Sequence, residues 1–219
     1  MAPLVTSTLP QLFEPRPVPP IPDFDLSNDI PEQALTRANT TTPDLFSLGG
    51  WTTLITGGGR GLGLELAYAV VEAGGCVACL DILAEPSQEE WLHLRAHAKQ
   101  LGLSVSYTRC DITNEPELER SFSAVSGRAE RQGWPLNGVI ACAGVQQIMD
   151  AADYPLEDWN RIMNVNVSGV FLTAKYAARE FMRQGCKGSI VLIASMSGAI
   201  TNRVRLVIDA ESSAPTDQL

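Results

Sequence analysis

The segment Thr56-Gly57-Gly58-Gly59-Arg60-Gly61-Leu62-Gly63 constrains the fold of this chain more than any other. An apolar run, 51–56, leads into it, and apolar residues at helical spacing follow over 62–73. Glycines in a strand-to-helix turn let backbone N–H groups approach a pyrophosphate, and the helix N-terminus supplies partial positive charge. The glycines alone are also consistent with a tight connection. The strand before and the helix after favour a dinucleotide turn, and the missing Gly-Lys-Ser/Thr ending excludes a P-loop.

Strand-like and helix-like patterns alternate along the rest of the chain, which is typical of a parallel sheet covered by helices on both faces. Strands are predicted at 51–56, 76–81, 104–109, 138–142 and 189–194. Helices are predicted at 62–73, 87–101, 115–132 and 156–184. We therefore predict an α/β fold, a Rossmann-type doubly wound parallel sheet of about five strands that is incomplete on its C-terminal side.

The sequence also predicts a helix cap, the core positions of one helix and the burial of one strand. Ser87 and Glu90 have the spacing of a capping box at the start of the second helix. In the helix 156–184, core spacing is predicted for Ile162, Val165, Phe171 and Leu172. The strand 189–194 is apolar throughout, as expected for burial on both faces. Without a following strand it becomes an apolar edge that is prone to aggregation.

The two ends of the chain differ from its centre in composition. Residues 1–44 are rich in proline and lack apolar periodicity, so we expect an extended, mostly disordered arm. Residues 45–202 form the predicted Rossmann domain. Residues 203–219 are predicted to be an irregular tail, in which only 203–208 has a strand-like pattern.

Charge and cysteine content exclude several classes of protein. A formal net charge of -9 argues against nucleic acid or an anionic membrane surface as partner. The five cysteines are odd in number and scattered, which suits buried thiols in a reducing compartment, and cytoplasm is the expected location. Cys76 and Cys79 point to opposite faces of a strand, so we expect no metal site there. No apolar run is long enough to span a membrane.

The end of the second predicted strand indicates the coenzyme. Asp81 lies roughly 20 residues after the turn, where a carboxylate accepts hydrogen bonds from ribose hydroxyls and repels a 2′-phosphate. Arg60, beside the turn, favours the opposite choice because a guanidinium can pair with the 2′-phosphate of NADP. NAD is the preferred prediction, since contact between a carboxylate and a phosphate is costly. The alternative for Asp81 is a solvated strand end.

The turn and the motifs that follow it resemble those of the short-chain dehydrogenase/reductase family. The family pattern Thr-Gly-x-x-x-Gly-x-Gly is matched in full, and further motifs follow in order at 110–112, 143–144, 165–169 and 188–195. Ala141 and Cys142 replace two asparagines of the family signature. The resemblance covers about 45–202, and segments 80–83 and 193–198 look most like fungal sugar and polyol members, such as arabinitol dehydrogenases and sorbose or xylulose reductases.

This resemblance implies hydride transfer between NAD or NADP and a secondary alcohol or ketone of a sugar or polyol. It assigns polarisation of the substrate oxygen to Ser195, a proton-relay water to Asn166, and a contact with the adenine ring to Asp111. The coenzyme-contacting residues implied by the turn and by the family are Gly57, Gly59, Arg60, Gly61, Leu62, Gly63, Asp81, Asp111, Ile112, Ala143 and Gly144.

The chain departs from the family pattern after Ser195. A tyrosine followed four residues later by a lysine is expected around Ile208, and neither residue stands there. Tyr154 and Tyr176 precede the serine, and neither has a lysine four residues later. A general acid–base group contributes about 10²–10⁴ in rate, so we expect slow or absent turnover from this chain, which we interpret as C-terminally truncated.

Three interpretations follow. The first is an oxidoreductase with a small sugar, polyol or ketone substrate. The second is a non-catalytic NAD(P)-binding or interaction protein that pairs with itself or with intact relatives through the helix around Asn166. The third is that the sequence from about Arg203 onward derives from a retained intron or a faulty gene model.

Overall fold

The computed structural model describes residues 42–195 and 206–207. The predictions for 1–41, 196–205 and 208–219 lie outside the described residues. The strands are β1 Thr52–Thr56, β2 Cys76–Asp81, β3 Val105–Arg109, β4 Leu136–Ala141, β5 Ile148–Met149, β6 Ser189–Leu192 and β7 Leu206–Val207. The α-helices are α1 Thr42–Leu45, α2 Gly61–Glu72, α3 Gln88–Gln100, α4 Glu115–Arg131, α5 Leu156–Met163 and α6 Val170–Gln184.

Five of the strands form one parallel sheet in the order β3-β2-β1-β4-β6. The chain starts in the middle of the sheet, builds outward through β2 and β3, and then returns to the other side of β1 with β4. This reversal of direction places a crevice at the carboxyl ends of β1 and β4, where open α/β sheets bind their ligands. The predicted α/β class and parallel sheet are confirmed.

Successive residues of β1 point into two separate cores. Leu54 packs in one core with residues of α4 and α6, including Phe122 and Phe181. Ile55 packs in the other core with residues of α2 and α3, including Leu64 and Leu94. Because strand side chains alternate between the two faces, a continuously apolar strand fits a sheet covered on both sides.

The first helix after the turn ends as its sequence predicts. Gly74 has a φ of +85°, and the N–H groups of Gly74 and Gly75 donate to the carbonyls of Val71 and Val70. These are the two hydrogen bonds of a Schellman motif, which favours glycine at the left-handed position. The next residue, Cys76, begins β2. The helix α2 and its glycine C-cap are therefore the whole connection between the glycine turn and β2.

The predicted helix 156–184 is interrupted by a π-helical segment. The chain runs from α5 through a π-helix at Asn164–Gly169 into α6. Ile162 is buried and Val165 and Leu172 are half-buried, but Phe171 is 64% exposed, so the predicted core position of Phe171 is wrong. A π turn contains more residues than an α turn and therefore rotates the residues after it, which uniform helical spacing does not anticipate.

The predicted capping box at Ser87 is also wrong. Ser87 does occupy the N-cap of α3, but its side chain makes no capping hydrogen bond. Its backbone N–H, which Glu90 would have to reach in a capping box, donates instead to the carbonyl of Gly59 at 2.8 Å. The start of α3 is therefore attached to the glycine turn.

The strand β6 is shorter and more exposed than its sequence predicts. All four residues of Ser189–Leu192 are exposed, including Val191 at 44% and Leu192 at 53%, so the expectation of burial on both faces is wrong. Among the described residues β6 pairs only with β4, as the alternative expectation of an edge strand required. The predicted strand pattern at 203–208 includes β7, which pairs with β5 outside the main sheet.

In the described part of the chain, no helix combines the length and the apolar character needed to cross a membrane.

Candidate coenzyme site

The glycine turn between β1 and α2 leaves no room for side chains at its critical positions. Gly57 and Gly61 have φ values of +71° and +52°, which favour glycine. A Cβ atom on Gly63 would overlap the carbonyl oxygen of Gly57, and one on Gly58 would lie 2.7 Å from the Cys79 sulfur. The backbone of the turn is therefore packed directly against the start of α2 and against β2.

Asp81, the last residue of β2, connects this turn to the loop that follows β2. The Asp81 side chain accepts hydrogen bonds from the backbone N–H of Gly59 through Oδ2 at 2.9 Å and from that of Leu83 through Oδ1 at 3.1 Å. The residue is only 8% exposed. A Cβ atom on Gly59 would lie 2.9 Å from Oδ2, so glycine is required for this approach. Each carboxylate oxygen still has acceptor capacity for a ligand hydroxyl.

A cavity of about 380 Å³ opens at the carboxyl ends of β1, β2 and β4. With the exception of Gly59, every residue predicted to contact the coenzyme lines this cavity: Gly57, Arg60, Gly61, Leu62, Gly63, Asp81, Asp111, Ile112, Ala143 and Gly144. Gly59 lies behind this surface, hydrogen-bonded to Asp81. The structure therefore brings together residues that are far apart in sequence, and the hydrogen bond from the Ala143 N–H to Thr56 Oγ1 joins two residues 87 positions apart.

Asp111 and Ile112 lie in the loop after β3 and line the cavity, and the adenine contact that the family resemblance implies for Asp111 stays a prediction. Asp111 Oδ1 accepts hydrogen bonds from the N–H and hydroxyl of Thr113, at 2.9 and 2.7 Å. Ile112 is 6% exposed and packs so tightly against Gly169 that a Cβ atom there would lie 2.6 Å from Ile112 Cδ1. The π-helical segment thus supports this wall of the cavity from behind.

Asn166, in the π-helical segment, is bound to the loop after β4. Its Oδ1 accepts from the N–H of Val145 and its Nδ2 donates to the carbonyl of Val145, each at 2.9 Å. Asn166 is not one of the described residues that line the cavity, but Val145 and the adjacent Gly144 are. Its side chain therefore fixes the backbone of Val145 in the cavity wall. The proton-relay role of Asn166 stays a prediction.

Ser195 follows β6, where Ile193 N–H still donates to the carbonyl of Ala141 at 3.1 Å. Within the described ranges, Ser195 does not line the cavity either. Tyr154 and Tyr176, the two tyrosines considered above, lie elsewhere in the fold. Tyr176 is 5% exposed in the core and its hydroxyl donates to Glu115 at 3.0 Å. The Tyr154 hydroxyl is buried without a hydrogen-bond partner in the described structure.

The thiols around the site are poor nucleophiles. Cys110 and Cys142 line the cavity, and burial raises the pKa of both. Burial, with a smaller contribution from Asp81, raises the pKa of Cys79 to about 12. Because the thiolate is the reactive form, these cysteines serve as packing residues at neutral pH. In the ranges 42–195 and 206–207, no group of three or more His, Cys, Asp or Glu residues is arranged to hold a metal ion.

A sequence model described as short chain dehydrogenase matches residues 52–207 of this chain. The chain belongs to the short-chain dehydrogenase family. The match starts later than the expected resemblance at about residue 45 and extends beyond its expected end at 202, as far as β7. The sequence from 203 to 207 thus still follows the family pattern, although it lacks the tyrosine.

Curated relatives of the short-chain dehydrogenase family include several from fungi. The chain is 33% identical to the short chain dehydrogenases/reductase notP' of Aspergillus versicolor, covering 73% of this chain and 53% of that protein. Identity is 36% to the sorbose reductase sou1 of Schizosaccharomyces pombe, over 72% and 60%. It is 31% to the D-arabinitol 2-dehydrogenase [ribulose-forming] of Candida tropicalis, over 72% and 57%. The chain thus spans little more than half the length of these relatives.

Solved structures of family members have the same architecture. A short-chain dehydrogenase/reductase from Mycobacterium marinum is 33% identical with a TM-score of 0.68, covering 78% of this chain and 66% of that one. An NADPH-dependent 3-quinuclidinone reductase from Rhodotorula rubra is 34% identical with a TM-score of 0.64, over 79% and 62%. A xylitol dehydrogenase with bound NAD+ is 26% identical with a TM-score of 0.63, over 76% and 60%.

Five residues of the cavity are not in the predicted set: Ile82, Cys110, Cys142, Val145 and Val165. Ile82 follows Asp81, Cys110 precedes Asp111, and Cys142 precedes Ala143, so each of these lies at the end of a parallel strand. The rule that ligands bind at the carboxyl ends of strands would have included them. Val145 follows Gly144 in the loop after β4, and Val165 precedes Asn166, whose side chain is hydrogen-bonded to Val145.

Proposed function

We propose that this chain binds a nicotinamide dinucleotide in the cavity at the carboxyl ends of β1, β2 and β4. The observation that carries the proposal is that one cavity is lined by the glycine turn, by Asp81 and by the loop residues Asp111 and Ala143. The turn offers backbone N–H groups and the N-terminus of the 12-residue helix α2 to the diphosphate. The bound coenzyme would supply hydride chemistry, and the protein would supply orientation and selection.

NAD is the preferred coenzyme. The Asp81 carboxylate is held by two backbone N–H groups and retains acceptor capacity toward ribose hydroxyls. A phosphate in place of the 2′-hydroxyl would meet this charge. Arg60 is exposed at the mouth of the cavity and is the residue that would favour NADP. Among the solved relatives, one is an NADPH-dependent reductase and another has bound NAD+.

We further propose that the lineage acts on a sugar, a polyol or a related ketone, interconverting a secondary alcohol and a carbonyl. Support comes from the sorbose reductase and D-arabinitol 2-dehydrogenase relatives. In this reaction Ser195 would polarise the substrate oxygen. Asn166 would hold the loop at Val145 and position the relay, since its two hydrogen bonds to that residue are already formed.

Turnover by the 219 residues themselves is expected to be slow or absent. The sequence after Ser195 has no tyrosine followed four residues later by lysine. Tyr176 is hydrogen-bonded to Glu115 in the core, and the Tyr154 hydroxyl is buried just before α5. Loss of a general acid–base group costs about 10²–10⁴ in rate. We therefore propose that the main function of this chain is to bind the coenzyme, and that catalysis is secondary.

Calorimetric titration with NAD and NADP tests coenzyme binding directly. We expect saturable binding of NAD, weaker binding of NADP, and a smaller difference between the two in Asp81→Asn, which loses the negative charge. A turnover assay with NADH or NADPH and a panel of ketoses tests catalysis. Ketose reduction that disappears in Ser195→Ala would establish this chain as an active reductase and overturn the expectation of slow turnover.

The second candidate is a non-catalytic NAD(P)-binding protein that pairs with itself or with relatives. The observation that favours it is an exposed apolar stripe on α6: Phe171 is 64% exposed and Met182 75%. Eleven residues are close to three helical turns, so both lie on one side of the helix. Sedimentation analysis of the chain and of Phe171→Glu tests it. A dimer that dissociates in the variant supports pairing, and a monomer in both excludes it.

The cellular location of the protein stays a proposal, and so does the origin of its last residues. All five cysteines are free thiols, which supports a reducing compartment such as the cytoplasm. The interpretation of the sequence from about Arg203 as a retained intron or a faulty gene model has to accommodate the family match as far as residue 207. Sequencing the spliced transcript tests it. A transcript that encodes 204–219 rejects it.

A further inference from the structure

The loop between β2 and α3, residues 82–87, contributes its first residue to the cavity. Ile82 lines the cavity and is 59% exposed there. Both ends of the loop are attached to the glycine turn. At the first end, Asp81 bridges Gly59 and Leu83. At the other end, Ser87 N–H donates to the carbonyl of Gly59 at 2.8 Å. Hydrogen bonds therefore connect both ends of this loop to the glycine turn.

Leu83 has both of its backbone polar groups hydrogen-bonded. Its N–H donates to Asp81, and its carbonyl accepts a hydrogen bond from the Tyr107 hydroxyl at 2.8 Å. The carbonyl bond comes from β3, outside the loop and the turn. Tyr107 thus connects the middle of the loop to the sheet.

Tyr107 is well suited to fix this loop because its own position is fixed. In the parallel pairing of β2 with β3, Tyr107 is in register with Cys79. Its ring packs edge-on against Trp91 of α3, with 5.6 Å between ring centroids and 69° between planes. Burial, with smaller contributions from Asp81 and Cys79, raises the pKa of Tyr107 to about 12, so its hydroxyl is a donor at neutral pH.

We infer that Tyr107 is a positioning residue for coenzyme recognition: by holding the Leu83 carbonyl, it sets the place of Ile82 and of the Asp81 carboxylate at the adenosine end of the cavity. Tyr107 does not itself line the cavity. The inference rests on the proposed function, because it assumes that a dinucleotide occupies this site. Removing one hydroxyl should loosen the loop without removing any group that touches the ligand.

The test compares Tyr107→Phe with Tyr68→Phe. The Tyr68 hydroxyl also donates to a backbone carbonyl, that of Glu90, at the same 2.8 Å distance, but it joins α2 to α3 instead of holding the loop. Both changes remove one tyrosine hydroxyl and one hydrogen bond. Dissociation constants for NAD, ADP-ribose and nicotinamide mononucleotide are measured by calorimetry on the unchanged chain and on each folded variant.

For Tyr107→Phe we expect the dissociation constants of NAD and ADP-ribose to rise by the same factor, about three- to tenfold, as for the loss of one hydrogen bond. The constant for nicotinamide mononucleotide should not change, because that ligand lacks the adenosine. Tyr68→Phe should leave all three constants unchanged. A purely structural role of Tyr107 would change all three ligands alike or none of them.

A second measurement does not depend on affinity. Hydrogen exchange of the backbone amides at 83–87 should be faster in Tyr107→Phe than in Tyr68→Phe, while exchange in β1 stays the same. Equal NAD affinity and equal exchange in the two variants would overturn the inference alone. No binding of NAD or ADP-ribose by the unchanged chain would overturn the proposed function as well.

Discussion

The strands β2 and β6 have similar apolar sequences but opposite surroundings. Every residue of β2 is buried, and it lies between β1 and β3 with helices on both faces. Every residue of β6 is exposed, and among the described residues it has β4 as its single neighbour. An apolar run therefore predicts a strand, but the neighbours that the chain supplies determine whether the strand is buried. Within the described residues, β2 in the coenzyme half of the sheet has a neighbour on each side, and β6 near Ser195 has a neighbour on one side.

The largest effect should come from the most crowded position of the coenzyme half. Gly63→Ala places a Cβ atom onto the Gly57 carbonyl oxygen, so the turn has to open. We expect a loss of about 3 kcal/mol or more in the free energy of unfolding and no measurable NAD binding. Urea unfolding and calorimetry check this.

The matched control is Gly127→Ala, in the middle of α4. Arg131 Nη1, at 3.5 Å, is the nearest atom to a Cβ there. Alanine favours the helix by about 1 kcal/mol over glycine, so this variant should be as stable as the original chain or more so. If Gly63→Ala behaves like Gly127→Ala, the turn is not as closely packed as its backbone geometry indicates.

The contrast between the two strands is tested by one substitution in each. Leu80, in β2, is fully buried, so Leu80→Ala should lower the free energy of unfolding by about 2–5 kcal/mol. Leu192, in β6, is 53% exposed, and Leu192→Ala should cost less than about 1 kcal/mol. Denaturant unfolding of both variants measures the difference. Equal costs would mean that β6 is covered in the folded protein.

Asn166 connects the π-helical segment to the loop after β4, and its removal should have an intermediate effect. Asn166→Ala leaves the N–H and carbonyl of Val145 without their side-chain partners, which should cost about 1–3 kcal/mol. Asn160→Ala, at an exposed position of α5, is the control and should be near neutral. Thermal unfolding of the two variants distinguishes them, and a cost no greater than the control would contradict the structural role of Asn166.

The smallest effect is a dependence of stability on pH at the contact between α4 and α6. Hydrogen bonds from Lys175 and Tyr176 lower the pKa of Glu115. A carboxyl whose pKa is lower in the folded chain stabilises it above the ordinary carboxyl pKa, and this contribution is lost as the pH falls through the folded value. Stability should therefore fall slightly more in the original chain than in Glu115→Gln between about pH 6 and pH 3. Parallel melting curves would contradict this.

Much of the fold and of the candidate site could be predicted from the sequence, because the residues that indicate them act through local backbone and side-chain chemistry. Within 57–63, Gly57 and Gly61 have backbone conformations that favour glycine, so the sequence itself indicates the turn. Asp81 ends an apolar strand, so the sequence indicates both where its carboxylate lies and what it can bind. The family motifs extend this to Asp111 and Ala143. The α/β class and the assignment to the family were therefore predictable.

The features that were not predictable depend on pairs of distant residues. The capping box failed because Gly59, some way before Ser87 in sequence, takes the N–H that the box needs. The exposure of Phe171 depends on the π-helical turn, for which the apolar spacing gives no signal. The support of Leu83 by Tyr107 requires β3 to lie beside β2, which is a property of the sheet order.

The most direct test is calorimetric titration of the unchanged chain with NAD, with Gly63→Ala as the non-binding control. We expect saturable one-to-one binding by the original chain, weaker binding of NADP, and no heat of binding for the variant. A folded chain that takes up neither coenzyme at millimolar concentration would contradict the central claim that the glycine turn and Asp81 form a dinucleotide site.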